Sequence, residues 1–167
     1  MGIAIERAAV VLGFLTLTAA LAVFASCKTI PSLLKRLGMK DPASSETFQS
    51  FYFLHGFFWQ AFVLLLVIHL SLGLVYVITA GSGSPEFHQH LVIISFGFAT
   101  ALSYGVIFAS CRITNKYFSS SLKSGSFAGR GYQVLYALHS YYWLVFFALI
   151  ATHFSFVYSA VRFWPMS

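Results

Sequence analysis

The feature that most constrains the fold of this chain is a set of four long apolar segments, at roughly residues 8–27, 51–80, 91–111 and 133–161. Each is long enough to cross the hydrocarbon core of a bilayer, which takes about 20 helical residues. Backbone amides in lipid must be satisfied within the segment, so uninterrupted apolar runs indicate helices and not barrel strands. Charged residues make up 8% of the chain, against about 25% in a soluble domain. The sequence therefore predicts an all-α integral membrane protein with four transmembrane helices.

The basic residues indicate how these helices are oriented. Residues 81–90 carry no Lys or Arg, whereas most of the ten basic residues lie in the other two loops. By the positive-inside rule these two loops face the cytoplasm or the mitochondrial matrix. We therefore expect a multi-pass protein of a cytoplasmic membrane or the mitochondrial inner membrane, with both termini outside. We expect the lipid bilayer to be a partner of the chain. The net charge of +6 does not indicate a nucleic-acid partner.

A repeat at a fixed offset of 84 residues divides the chain into two copies. The stretch YFLHGFFWQAFVLLLVIHLS at residues 52–71 returns as YALHSYYWLVFFALIATHFS at residues 136–155. We predict a single membrane domain, residues 1–167, built from the repeats 1–84 and 85–167. Each repeat is a helical hairpin, and the duplicated hairpin is expected to form a four-helix bundle.

The end of the first apolar segment supports the same repeat. Its sequence FASC, at residues 24–27, resembles a signal-peptide cleavage site. The same four letters return at residues 108–111, in mid-chain, where no signal peptidase acts. We therefore expect the first helix to be a structural element that is retained.

Each copy carries two histidines fourteen positions apart. Fourteen helical residues rise about 21 Å and make roughly four turns, so both histidines of a helix share one face. Because each copy crosses the membrane twice, the copies enter with the same orientation, as in other parallel repeats. We therefore expect His55 and His139, here named the inner histidines, at one depth. His69 and His153, the outer histidines, are expected at another.

Histidines inside a bilayer are costly unless they are paired, and for this reason they mark functional sites. A single one is more often a hydrogen-bonded packing residue than a ligand, but four in two matched pairs favour ligation. Two facing imidazoles can supply both axial ligands of a haem iron, which leaves no open position for oxygen and suits electron transfer. The pattern predicts two haems that together form an electron path across the membrane.

The arrangement His-x13-His on two parallel helices resembles the haem-binding core of the cytochrome b family, a subunit of quinol:cytochrome c oxidoreductases. In that family each haem is clamped between one histidine of the second helix and one of the fourth. The resemblance implies an inner haem b on His55 and His139 and an outer haem b on His69 and His153. It covers four of the family's eight helices, and transmembrane ferric reductases have similar spacing, so it indicates haem more than a particular reaction.

Glycines and tryptophans near the histidines are further candidates for contact with a cofactor. The family places glycines on the first and third helices beside a porphyrin edge, and Gly13 and Gly97 match each other across the repeat. Trp59 and Trp143 follow the inner histidines. These tryptophans either pack on porphyrin faces or anchor the helix ends at the membrane interface.

Four more side chains are candidates for contacts with a cofactor. Arg112 and Arg130 are expected to bind the propionates of the inner haem through charge-assisted hydrogen bonds, or else to serve only as topology signals. His88 and His90, in the predicted loop 81–90, can bind propionates of the outer haem or relay protons at a quinone pocket. Loop histidines commonly do neither.

The leading interpretation is a dihaem b-type cytochrome membrane subunit that carries electrons between a quinone pool and a peripheral redox subunit. That subunit would be an iron–sulfur, flavin or cytochrome c protein, which this chain anchors as the electron-transfer subunit of a respiratory oxidoreductase. One alternative is a chlorophyll-binding membrane subunit in which each histidine ligates one magnesium. Another is a structural anchor in which the histidines form hydrogen bonds between helices.

Overall fold

The computed structural model describes residues 2–27, 29–80, 85–111 and 126–162 of the chain. Across these residues the regular secondary structure is helical throughout, with no strand. The helices, in chain order, are α1 (Gly2–Ala25), α2 (Thr29–Arg36), a short 3-10 turn (Pro42–Ser44), α3 (Glu46–Phe53), α4 (His55–Ala80), α5 (Pro85–Ser110), α6 (Phe127–Ala137) and α7 (His139–Arg162).

Four of the helices are long and apolar enough to cross a membrane. The spans are Arg7–Ala25, His55–Thr79, Phe87–Ser110 and His139–Ser159. They belong to α1, α4, α5 and α7. The predicted all-α membrane protein with four spans is thereby confirmed.

The chain divides into two compact units, Met1–Ala80 and Gly81–Ser167. The division falls close to the boundary of the sequence repeat. In the first unit α1 packs along α4, and in the second α5 packs along α7. Each unit is thus an antiparallel helical hairpin.

The second and fourth apolar segments are each interrupted by one residue just before the inner histidine. Leu54 ends α3 with φ −79° and ψ −3°, and Leu138 ends α6 with φ −89° and ψ 0°. A ψ near zero departs from the value of about −42° that continues an α-helix. Each segment is therefore a short helix followed by a long one, where the sequence predicted a single helix. The inner histidines consequently occupy the first turn of α4 and α7.

The predicted loop at residues 81–90 was wrong from residue 85 onward, because α5 begins at Pro85. Proline suits the first position of a helix, where its missing N–H would have no helical partner. His88 and His90 therefore lie in the first two turns of α5. His88 is exposed and His90 is buried.

The two hairpins differ at one pair of buried positions in their interiors. Ala20 is among the buried residues of α1, and its counterpart among those of α5 is the larger Tyr104. The Tyr104 ring lies 5.9 Å from the Trp143 ring and 5.2 Å from the Phe146 ring, centroid to centroid. The repeat thus conserves the helices and the histidines but not the volume of their neighbours.

Candidate functional site

The inner histidines are buried and linked to the neighbouring helix of their own hairpin by a serine. His55 Nδ1 lies 2.7 Å from Ser26 Oγ, and His139 Nδ1 lies 2.8 Å from Ser110 Oγ. The rings are 6% and 8% exposed respectively. Each contact joins residues 29 positions apart. The same bridge between two helices is therefore built twice.

The hydrogen-bond partners of each inner histidine determine which ring nitrogen carries the proton. Ser26 donates its hydroxyl proton to a carbonyl of α1, with Val23 O at 2.9 Å, and Ser110 donates to Ile107 O at 2.8 Å. An indole N–H can only donate, and Trp59 and Trp143 donate to Nε2 of His55 and His139, so each Nε2 holds a lone pair and the imidazole donates from Nδ1 to the serine oxygen. The geometry thus assigns the proton to Nδ1 and the lone pair to Nε2.

That lone pair accepts a hydrogen bond from a tryptophan one helical turn further along the same helix. Trp59 Nε1 donates to His55 Nε2 at 3.0 Å, and Trp143 Nε1 donates to His139 Nε2 at 3.3 Å. The tryptophans are 4% and 2% exposed, so they lie inside the described structure and not at its surface. They are hydrogen-bond donors to the inner histidines, a role that neither sequence interpretation included.

The outer histidines reach the backbone of the neighbouring helix. His69 Nδ1 lies 3.0 Å from the carbonyl oxygen of Ala9, and His153 Nδ1 lies 3.0 Å from that of Ile93. A carbonyl oxygen can only accept, so Nδ1 carries the proton here too. All four histidines therefore have the same tautomer, with the lone pair on Nε2.

Glycines make room for the outer imidazoles. A Cβ built on Gly13 would lie 3.2 Å from His69 Cε1, and one built on Gly97 would lie 3.3 Å from His153 Cε1. The absence of a side chain therefore lets each ring approach the helix whose carbonyl it contacts. The sequence interpretation paired these glycines with a porphyrin edge, whereas the described contact is with the histidine ring.

No known protein family, curated protein or solved structure matches this chain. The two hairpins nevertheless provide an internal comparison, because every contact of the histidines described above occurs once in each. A side-chain arrangement that recurs across sequences as different as GFFWQAF and SYYWLVF indicates a constraint on the site itself.

The shared tautomer is the one that metal-ligating histidines commonly adopt. Such histidines donate one ring N–H to a carbonyl or other oxygen acceptor, which orients the ring and makes the other nitrogen more basic. Each hairpin supplies one inner and one outer imidazole. Among the described residues, no group of three or more His, Cys, Asp or Glu side chains is placed to hold a metal ion.

The remaining predicted site residues lie apart from this arrangement or outside the described residues. Arg130 is exposed on α6. Arg112 falls outside the described residues. His88 is exposed on α5, while His90 is buried there.

The site residues that sequence reasoning missed are Ser26 and Ser110. Both were visible as members of the repeated FASC segment, which had been interpreted only as a helix end. The available signal was the common spacing of 29 residues from serine to histidine in both copies. The carbonyl partners of the outer histidines carry no such signal, because every residue has a carbonyl.

Proposed function

We propose that this chain is a dihaem b-type cytochrome subunit that carries electrons across the bilayer between a quinone pool and a peripheral redox subunit. The observation that carries the proposal is the common state of the four imidazoles. Each donates Nδ1–H to an oxygen acceptor and holds its lone pair on Nε2, inside an apolar helical hairpin. This donor set suits axial ligation of a haem iron at two depths.

The residues of each hairpin would hold and tune the ligands. Ser26 and Ser110 fix the ring plane of the inner histidines and favour electron donation from Nε2, as backbone carbonyls do for the outer histidines. When bound, haem would supply reversible one-electron transfer. The fourteen residues between the two histidines of a helix set a separation of about 21 Å along it.

Four further candidates from the sequence complete the proposal. Arg130 and Arg112 would bind propionates of the inner haem through charge-assisted hydrogen bonds. His88 and His90, on the first turns of α5, would serve the outer haem or a bound quinone. A peripheral iron–sulfur, flavin or cytochrome c protein would exchange electrons with the chain that anchors it.

A second candidate function is supported by the same contacts. Each histidine joins the two helices of its own hairpin, which is what a structural anchor with interhelical hydrogen bonds would require. Such bonds stabilise transmembrane helix pairs by roughly 0.6 kcal/mol on average. This function accounts for the bonds at Nδ1, whereas the Nε2 lone pairs of the inner histidines accept N–H groups from their own helix and do not join two helices.

The experiment that separates these functions compares single histidine variants of the purified protein. His69→Ala and His153→Ala are each expected to abolish the same haem, recognised by its midpoint potential in a redox titration. His55→Ala and His139→Ala should abolish the other haem. Ser95→Ala, at an exposed residue with no proposed role in the site, is the control and should keep both haems.

Other outcomes would point elsewhere. Loss of different haems in His69→Ala and His153→Ala would contradict ligand pairing. A red chlorophyll band in the purified protein would favour a pigment-binding subunit. Absence of any chromophore, with helix pairing weakened in every histidine variant, would favour the structural anchor.

A further inference from the structure

The inner and outer histidines differ in what lies one helical turn further along the chain. Four residues after each inner histidine there is a tryptophan, Trp59 or Trp143. Four residues after each outer histidine there is Gly73 or Val157, neither of which has a side-chain donor. Positions i and i+4 face each other on a helix. An N–H group is therefore presented from this position to the inner lone pair only.

The tryptophans are held in place by packing as well as by their hydrogen bonds. The Trp59 ring meets the Phe62 ring at 87°, with centroids 6.5 Å apart. The Trp143 ring meets the Phe146 ring at 89° and 5.7 Å and stacks on Phe147 at 5.8 Å. Edge-to-face and stacked pairs of this kind are favourable beyond their buried area. Both indoles are thus ordered parts of the hairpin interior.

We infer that Trp59 and Trp143 control access of iron to the inner histidines. The Nε2 lone pair can accept one partner, the indole N–H or the metal. The inner site therefore takes haem only when both indoles release their histidines. The inference rests on the proposed function, and it assigns the two tryptophans a positioning role that sets the strength of haem binding at the inner site.

The two indoles are held differently. Trp143 also packs edge-on against Tyr104, with centroids 5.9 Å apart at 85°. The counterparts of Tyr104 and Phe147 in the first hairpin are Ala20 and Val63, which have no rings. The second hairpin thus places rings beside Trp143 at two positions where the first hairpin has none.

The test is a haem titration of the full-length protein produced under haem depletion. A His69→Ala, His153→Ala background leaves only the inner histidines. In that background, Trp59→Phe and Trp143→Phe are each expected to tighten inner haem binding about fivefold, the factor for one hydrogen bond of typical net strength. The double Phe variant is expected to tighten it roughly 25-fold, if the two hairpins contribute independently.

Matched controls separate the indole N–H from packing. Phe62→Leu and Phe146→Leu alter buried rings beside the same tryptophans without removing a donor. They should leave inner haem affinity unchanged or weaken it. If they tighten binding as the Trp→Phe variants do, looser packing is the cause and the inference is wrong.

A readout on the wild-type protein avoids the variants altogether. Ultraviolet resonance Raman bands of indole report hydrogen bonding at Nε1, and the chain has three tryptophans. Titration with haem is expected to shift these bands as the inner site fills. Bands that stay constant through two equivalents overturn the inference and leave the dihaem function standing. Failure to bind haem at either site overturns both.

Discussion

The inner and outer histidines lie on the same two helices and share a tautomer, yet their surroundings are built by opposite means. Side chains define the inner environment, since Ser26 and Trp59 contact the two ring nitrogens of His55. The outer environment depends on a missing side chain, because Gly13 lets His69 reach a backbone carbonyl. Both arrangements recur in the second hairpin.

The inner and outer environments are therefore expected to respond differently to mutation. A hydroxyl or an indole can be removed while the backbone stays in place, so the inner environment can be altered one contact at a time. A backbone carbonyl cannot be removed by substitution. The outer environment is therefore sensitive to added volume, and the inner environment to lost hydrogen bonds.

The largest effect is expected from filling the space beside an outer histidine. In Gly97→Val the new Cβ would lie about 3.3 Å from His153 Cε1, and the two γ-methyl groups would displace the ring. Overpacking of this kind typically costs 1–3 kcal/mol. We expect complete loss of the outer haem, with the inner haem retained, measured by redox titration of the purified variant.

The control for this variant is on the same helix. A Cβ built on Gly105 would meet nothing within 4 Å among the described residues, so Gly105→Val changes helix propensity equally without crowding a ring. Loss of the outer haem in Gly105→Val as well would show that α5 tolerates no added side chain, and the proposed role of Gly97 would fail.

A smaller effect is expected from removing the acceptor of an inner histidine. Ser26→Ala leaves the buried Nδ1–H of His55 without the oxygen described here, at a cost of about 1–3 kcal/mol. Stability of the variant to detergent-induced unfolding should fall by that amount, and the potential of the inner haem should change while that of the outer haem stays constant.

Ser95→Ala supplies the comparison. Ser95 is exposed, and its hydroxyl donates to the Leu91 carbonyl of its own helix. Its removal should leave stability and both haem potentials near their wild-type values. Equal behaviour of the two alanine variants would mean that the bond from serine to histidine contributes nothing specific to the inner environment.

The smallest effect is expected at the protein surface. Arg130→Gln removes a positive charge that is proposed to lie near the propionates of the inner haem. The loss of this charge favours the oxidised haem, so the midpoint potential of the inner haem only should fall. Because Arg130 is exposed, solvent and salt screen its charge, and the shift should shrink at high ionic strength. Lys35→Gln, at another exposed basic residue, is the control. Equal shifts in both variants would exclude a specific contact.

The membrane-spanning character was predictable because it depends only on the length and polarity of segments. The boundaries of the helices were less predictable. Proline is the usual cause of a sharp kink in a helix. The breaks at Leu54 and Leu138 have no proline at the interrupted position. The start of α5 was missed because the polar residues after Pro85 resemble a loop, although proline fits the first turn of a helix.

The candidate site was predictable in its histidines but not in their partners. The spacing of His55 and His69 follows from helical periodicity within one segment. The contact between Ser26 and His55 crosses from one helix to another, so it depends on how α1 and α4 pack. Trp59 was noticed for its ring, whereas the structure uses its N–H, a function that aromatic content does not reveal.

The central claim is that the imidazoles of the two hairpins ligate two haems. The most direct measurement is a reduced-minus-oxidised spectrum of the purified wild-type protein, combined with pyridine haemochrome quantitation per chain. We expect the sharp reduced α-band of haem b with bis-histidine ligation and two haems for each chain. A protein that purifies folded and without haem, or with chlorophyll in its place, would contradict the claim.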